Sequence, residues 1–333
     1  MSRAWWLLIA LLGASLVPLV LGGRPMLEQL ASFPLDNLLL LLGMILLCWL
    51  INAQKLRVLL AGRAGPLSQR QSIGIIMASE FAFYATPGGS GAPLTLMALL
   101  ARRGLRPAQS SAIFAVDQLS DLLFFLTALL VVLCYTLSHS LSPNLESSLL
   151  VSAVLLGGIL FGVVLLARFQ RRVIRANGRL LARLGVKPRR RLHWARKLLH
   201  FRDSIATSLK QPRRRLALVF LLTSSHWLLR FSVLYLILQA MGVELHWAWT
   251  FLIQLLSLAA GLATLLPGGA GGTELTSLAM LSPLVGKPTA AAAILVWRVV
   301  TYYFYLVAGA PVFAIMAGRP LLRRLIGLRN RDA

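Results

Sequence analysis

Charge is scarce in this chain, and acidic charge is the scarcest kind. Only 13% of its 333 residues are charged, with 10 Asp or Glu against 34 Lys or Arg. Soluble chains carry about 25% charged residues, so an ordinary water-facing surface is excluded. A nucleic-acid binder with such a basic excess would be polar overall, whereas 58% of this chain is hydrophobic. Cysteine is nearly missing. Cys48 and Cys134 both lie inside apolar runs, which excludes a disulfide framework and a thiolate metal site. The 5 histidines are scattered without metal-ligand spacing, so neither a metal nor a cofactor is expected.

Long apolar runs are what the chain has in abundance. A bilayer core needs about 20 apolar residues per helix, and basic residues collect on the cytoplasmic side. Full spans are expected over residues 4–21, 35–53, 108–137, 149–167, 216–241 and 290–317. The first of these resembles a signal peptide, but Arg24 and Pro25 follow it instead of a small-residue cleavage site. A retained helix is therefore expected. The segment 168–215 carries 17 Lys or Arg and a single acid, Asp203, while the loop 138–148 has no Lys or Arg. With both termini cytoplasmic, only Arg24 and Lys287 among the Lys and Arg residues face outward.

Two apolar stretches are interrupted. Residues 73–86 meet Pro87-Gly88-Gly89-Ser90-Gly91 and resume over 92–101, with Arg70 before and Arg102, Arg103 and Arg106 after. Residues 247–266 meet Pro267-Gly268-Gly269-Ala270-Gly271-Gly272 and resume over 273–285. Each reads as a re-entrant hairpin of two half-length helices. The tips align on Pro87 and Pro267, each hairpin leads through a loop proline (Pro107 or Pro288) into a long span, and the two hairpins enter from opposite sides. The expected fold is thus an all-α polytopic membrane protein forming one membrane domain. It has about six spans, two re-entrant hairpins and an inverted internal repeat, with halves 1–148 and 149–333. Secondary transporters use this plan, with the site at the midplane between broken helices. The alternative is that the glycines only permit close helix packing.

Ionisable groups inside spans cost roughly 2.5–3.5 kcal/mol each at the centre and are functional candidates by default. Six qualify: Glu80, Asp117, Asp121, Arg230, Glu274 and Arg298. Asp117 and Asp121 share a helix face. Asp117 and Arg298 each lie ten residues from their loop proline, about 15 Å deep at 1.5 Å per residue, and are expected to approach each other near the midplane. Two readings stand side by side. The charges form structural ion pairs, or Arg230 and Arg298 hold an anionic head group while the acids orient them. Guanidinium suits the second role because it binds phosphate oxygens bidentately. Gly88, Gly89, Gly91, Gly268, Gly269 and Gly271 are candidates to expose helix-start amides to the anion, with Ser90 and Thr273 adding hydroxyls. His226, four residues before Arg230, reads as a packed or hydrogen-bonded histidine. Neither glycine run is a nucleotide phosphate loop, since no Lys-Ser or Lys-Thr follows it. No catalytic motif is found, so an enzyme is not expected. The basic segment 168–215 is expected to fix topology and bind anionic lipid heads, not nucleic acid.

The glycine tip followed by Glu274, the loop ending at Pro288, and Trp297-Arg298 with Thr301-Tyr302 resemble the transmembrane region of lysylphosphatidylglycerol synthases. They also resemble the wider group of flippase-like bacterial and archaeal membrane proteins. Asp117 and Asp121 resemble that family's acidic motif, although Gln118 stands where an Arg is often found. The resemblance covers essentially the whole chain. It implies transbilayer movement of a lipid or lipid-linked glycan in a bacterial inner membrane. Synthesis is not implied, because in the synthases a separate soluble domain transfers the aminoacyl group. Anionic phospholipid and polyprenyl-phosphate lipids are the expected partners, with homo-oligomers and envelope-biosynthesis partners left open. A lipid-modifying enzyme, or an accessory subunit of one, is the competing reading.

Overall fold

The computed structural model describes residues 22–65, 67–139 and 211–326, plus the isolated positions 18, 20, 154, 157 and 158. The expected spans 4–21 and 149–167, the loop 138–148 and nearly all of the basic segment 168–215 lie outside the described residues. Nine helices follow one another among the described residues: α1 Leu35–Leu60, α2 Gln69–Tyr84, α3 Gly91–Ala101, α4 Pro107–His139, α5 Arg213–Ala240, α6 Trp247–Ala263, α7 Gly272–Val285, α8 Lys287–Arg298 and α9 Phe304–Ile326. A π-helical turn, Val299–Tyr303, joins α8 to α9 without a break. No strand occurs among the described residues, only one isolated bridge. The protein is an all-α membrane protein. Four helical stretches among the described residues are long and apolar enough to cross a bilayer: Leu35–Leu60, Pro107–Val132, Arg213–Ala240 and Lys287–Met316. They coincide with four of the six expected spans.

Local chemistry sets the helix ends. Ser68 caps α2 in a reciprocal box, accepting from the Gln71 amide at 3.3 Å while the Gln71 side chain accepts from the Ser68 amide at 3.2 Å. The His246 ring accepts from the Ala248 amide at 3.3 Å to start α6. Pro107 and Pro288 open α4 and α8, where a missing N–H costs nothing. Helices α2 and α6 both stop two or more residues before a proline, as the restriction on pre-proline residues demands.

The chain divides into two compact units. The first comprises Met1–Arg57, Gly65–Leu99 and Ser224–Ala333, and so contains both glycine tips. Its core joins Leu41, Ile45 and Trp49 of α1 to Val233, Leu234 and Ile237 of α5 and to Ala290–Ala293 of α8. On the opposite side of α1, Leu39, Leu40, Leu46 and Leu50 remain exposed, as a lipid-facing surface should. Helices α2 and α9 touch through a small residue. A Cβ at Gly309 would lie 2.8 Å from Phe81 Cβ and 3.3 Å from the Met77 carbonyl oxygen.

The second unit comprises Val58–Ala64 and Leu100–Thr223. Arg63 donates to the Leu60 and Leu59 carbonyls, both at 3.2 Å, satisfying the open end of α1. Asp117 and Asp121 lie half-buried, one turn apart, on α4.

Candidate functional site

One glycine tip lies between α2 and α3, the other between α6 and α7, and both tips belong to the first unit. Gly88 and Gly89 take φ of 58° and 68°, and Gly268, Gly269 and Gly271 take 62°, 66° and 81°. This is the left-handed region that glycine enters without a Cβ penalty. The tips pair with each other: Pro87 and Pro267 form an antiparallel bridge. At the second tip, a Cβ on Gly268 would overlap the buried ring of Tyr302.

The first amides of the half-helices are already engaged. Gly91 N donates to Thr86 Oγ1 at 2.7 Å, Ala92 N to the Gly89 carbonyl at 3.2 Å, and Thr273 N to the Gly269 carbonyl at 3.0 Å. The tip carbonyls and the Thr86 hydroxyl act as caps, so these amides do not stand open as an anion nest. Ser90 Oγ donates to the Pro87 carbonyl at 3.0 Å on the exposed side, and Thr273 Oγ1 is buried without a hydrogen-bond partner among the described residues.

The second tip feeds directly into a buried ion pair. Arg298 Nε donates to Glu274 Oε1, and the two side chains are 2% and 0% exposed. Arg298 Nη2 donates to the Gly268 carbonyl at 3.2 Å. The guanidinium lies over the Tyr302 ring at 5.0 Å and the Trp297 ring at 5.8 Å. One arginine thus ties the first turn of α7, the glycine tip and the π-helical turn together. The carboxylate that pairs with it is Glu274. Asp117 and Asp121 belong to the second unit.

Arg230 has a different environment. Its Nη1 donates to Tyr305 OH at 2.5 Å and its Nη2 to Tyr84 OH. The guanidinium lies 4.9 Å from the Tyr305 ring centre. Phenol oxygens are the only hydrogen-bond acceptors it finds among the described residues, and it makes no direct salt bridge among them, although the Glu80 carboxylate attracts it through space. Glu80, in turn, accepts from Trp49 Nε1 at 2.6 Å and from Asn52 Nδ2 at 3.1 Å, both uncharged donors. Asn52 Nδ2 also lies 3.5 Å from His226 Nε2, so this histidine is packed and hydrogen-bonded, as the sequence indicated.

Both arginines border one small cavity in the first unit, lined also by Tyr84, Phe231, Gln254, Leu258, Trp297 and Thr301. It has room for little more than a water molecule. Sequence reasoning found Arg230, Arg298, Glu274 and Glu80, because charge at membrane depth is conspicuous. It missed Tyr84, Tyr305, Trp49, Asn52 and Gln254, whose polar tips are carried on side chains that read as ordinary core. Their one signal was polarity inside an apolar run, which Asn52 and Gln254 show and the aromatic residues do not.

The family model described as "Lysylphosphatidylglycerol synthase TM region" matches residues 5–309. A UPF0104 membrane protein of Archaeoglobus fulgidus is 26% identical over 276 residues, covering 79% of this chain and 81% of that protein. A UPF0104 membrane protein of Methanothermobacter thermautotrophicus is 33% identical over 105 residues, 31% of either chain.

Proposed function

The chain belongs to the lysylphosphatidylglycerol synthase transmembrane-region family, and on that premise we propose that it is a lipid translocator. It moves a phosphate-bearing lipid or lipid-linked glycan across the cytoplasmic membrane and performs no chemistry on it. The reading rests above all on Arg230. This guanidinium is 8% exposed, hydrogen-bonds only to phenols among the described residues, and borders the same cavity as Arg298. The Glu80 carboxylate attracts it through space without a direct salt bridge, so its N–H groups touch no charged acceptor, and a phosphate head group supplies one. The cavity is closed around about a water's volume, so admission of a head group requires the tips bridged at Pro87 and Pro267 to part. Re-entry of the two hairpins from opposite faces gives that motion access to each side in turn. Charge asymmetry puts both termini and the basic segment 168–215 in the cytoplasm, where that segment meets anionic lipid.

Reconstitution in liposomes with head-group-labelled phospholipid or polyprenyl phosphate tests the reading. Faster change of sidedness of the intact lipid, lost in Arg298→Lys, is the expected result. A chemically altered lipid would instead support a lipid-modifying enzyme. Neither outcome, with folded protein in the membrane, would reject transport.

A further inference from the structure

Trp297 stands immediately before Arg298, at the end of α8, and borders the same cavity. It is 3% exposed, and its indole Nε1 makes no hydrogen bond among the described residues. Buried polar groups are nearly always satisfied, and an orphan donor in an apolar interior destabilises the fold. A donor left open beside a cavity is therefore best explained by what enters that cavity.

The rest of the lining agrees on the chemistry. Arg230 and Arg298 only donate. Tyr84 OH accepts from Arg230, which leaves its own hydrogen free to donate, since it finds no acceptor among the described residues. Thr301, four residues after Trp297 and on the same face, spends its hydroxyl on the Trp297 carbonyl at 2.7 Å. Gln254 spends its Nε2 on the Phe231 and Thr250 carbonyls, which leaves its amide oxygen as an acceptor in the lining, so donors outnumber open acceptors around the cavity. Its complement is a group that only accepts, and a tetrahedral phosphate oxyanion is such a group. The chain then passes into the π-helical turn Val299–Tyr303, a distortion of the kind that recurs at functional sites.

Resting on the translocator reading, we propose that Trp297 is a third ligand of the phosphate, an uncharged donor whose indole N–H binds one phosphate oxygen while Arg298 and Arg230 bind others. Trp297 gives the site direction without adding charge. It makes no hydrogen bond to the ion pair, but its ring lies 5.8 Å from the Arg298 guanidinium, so only a variant that keeps the ring and removes the N–H isolates its effect.

Two variants of the full chain in detergent test this. Trp297→Phe removes the N–H together with volume. Benzothienylalanine incorporated at position 297, with sulfur in place of the N–H, removes the donor and keeps the shape. Inorganic phosphate and dihexanoylphosphatidylglycerol are the probes, with affinity read by calorimetry and the empty protein's melting temperature read alongside. The isosteric variant is expected to bind the phosphodiester about tenfold more weakly or worse, as for loss of a hydrogen bond to a charged group. Its empty form should melt no lower than wild type, because an unsatisfied donor has gone. Wild-type affinity in that variant would overturn the Trp297 contact. If wild type binds neither probe, the anion site falls and this contact with it. If inorganic phosphate binds and the lipid does not, a tenfold loss in the variant still upholds the contact while the translocator reading falls.

Discussion

Pro87 and Pro267, the two residues that align the glycine tips in sequence, pair with each other across an antiparallel bridge. The second tip is held from another direction as well, since the carbonyl of Gly268, next to Pro267, accepts from Arg298 Nη2 at 3.2 Å.

Arg298→Ala leaves the fully buried Glu274 carboxylate without its cation. Breaking a buried pair in this way costs about 3–5 kcal/mol, so a large fall in melting temperature in detergent is expected. The double variant Glu274→Gln, Arg298→Gln removes both charges and should regain most of that stability. Transport should stay lost in it. Restored transport would show that the pair is only a lock.

Arg230→Met should be milder for the fold. Its guanidinium is hydrogen-bonded by two phenols and makes no salt bridge among the described residues, and Glu80 loses only a through-space attraction while keeping its bonds from Trp49 and Asn52. We expect a smaller fall in melting temperature than for Arg298→Ala, with transport abolished. A collapse as severe as that of Arg298→Ala would mean that Arg230 is structural.

Gly268→Ala and Gly271→Ala separate backbone strain from contact. Both positions have left-handed φ, 62° and 81°, but a Cβ at Gly271 meets nothing within 4 Å while one at Gly268 runs into Tyr302. Gly271→Ala should cost about 1–2 kcal/mol. Gly268→Ala should cost about 1–3 kcal/mol more, because Tyr302 is fully buried and cannot swing aside. Equal losses by thermal unfolding would show that the aromatic ring yields.

Sidedness is checked by cysteine labelling in intact cells. Glu244 and Arg103 are both exposed in turns after helices. A membrane-impermeant maleimide should modify Glu244→Cys and spare Arg103→Cys until the cells are opened. The reverse pattern would invert the topology and the orientation of both hairpins.

The sequence by itself determined the all-α membrane class, four long apolar helices seen among the described residues, and the two tips. Those properties are one-dimensional. Apolar run length, the position of Pro and Gly, and the side on which Lys and Arg collect do not depend on which helix packs against which. Partner choice does depend on it. Spacing alone left Arg298 free to be steadied by Asp117 or Glu274, and the folding back of α7 against α8 made the carboxylate Glu274. Nothing in the sequence separated Arg230 from an ordinary ion pair, because Tyr84 and Tyr305 become its partners only when α2 and α9 pack beside α5. The same packing gave Glu80 to Trp49 and Asn52 and left the Trp297 indole open beside the cavity. Hydrogen bonds are satisfied by groups within about 3 Å of each other, and for residues far apart in the chain that distance is set by the tertiary structure alone.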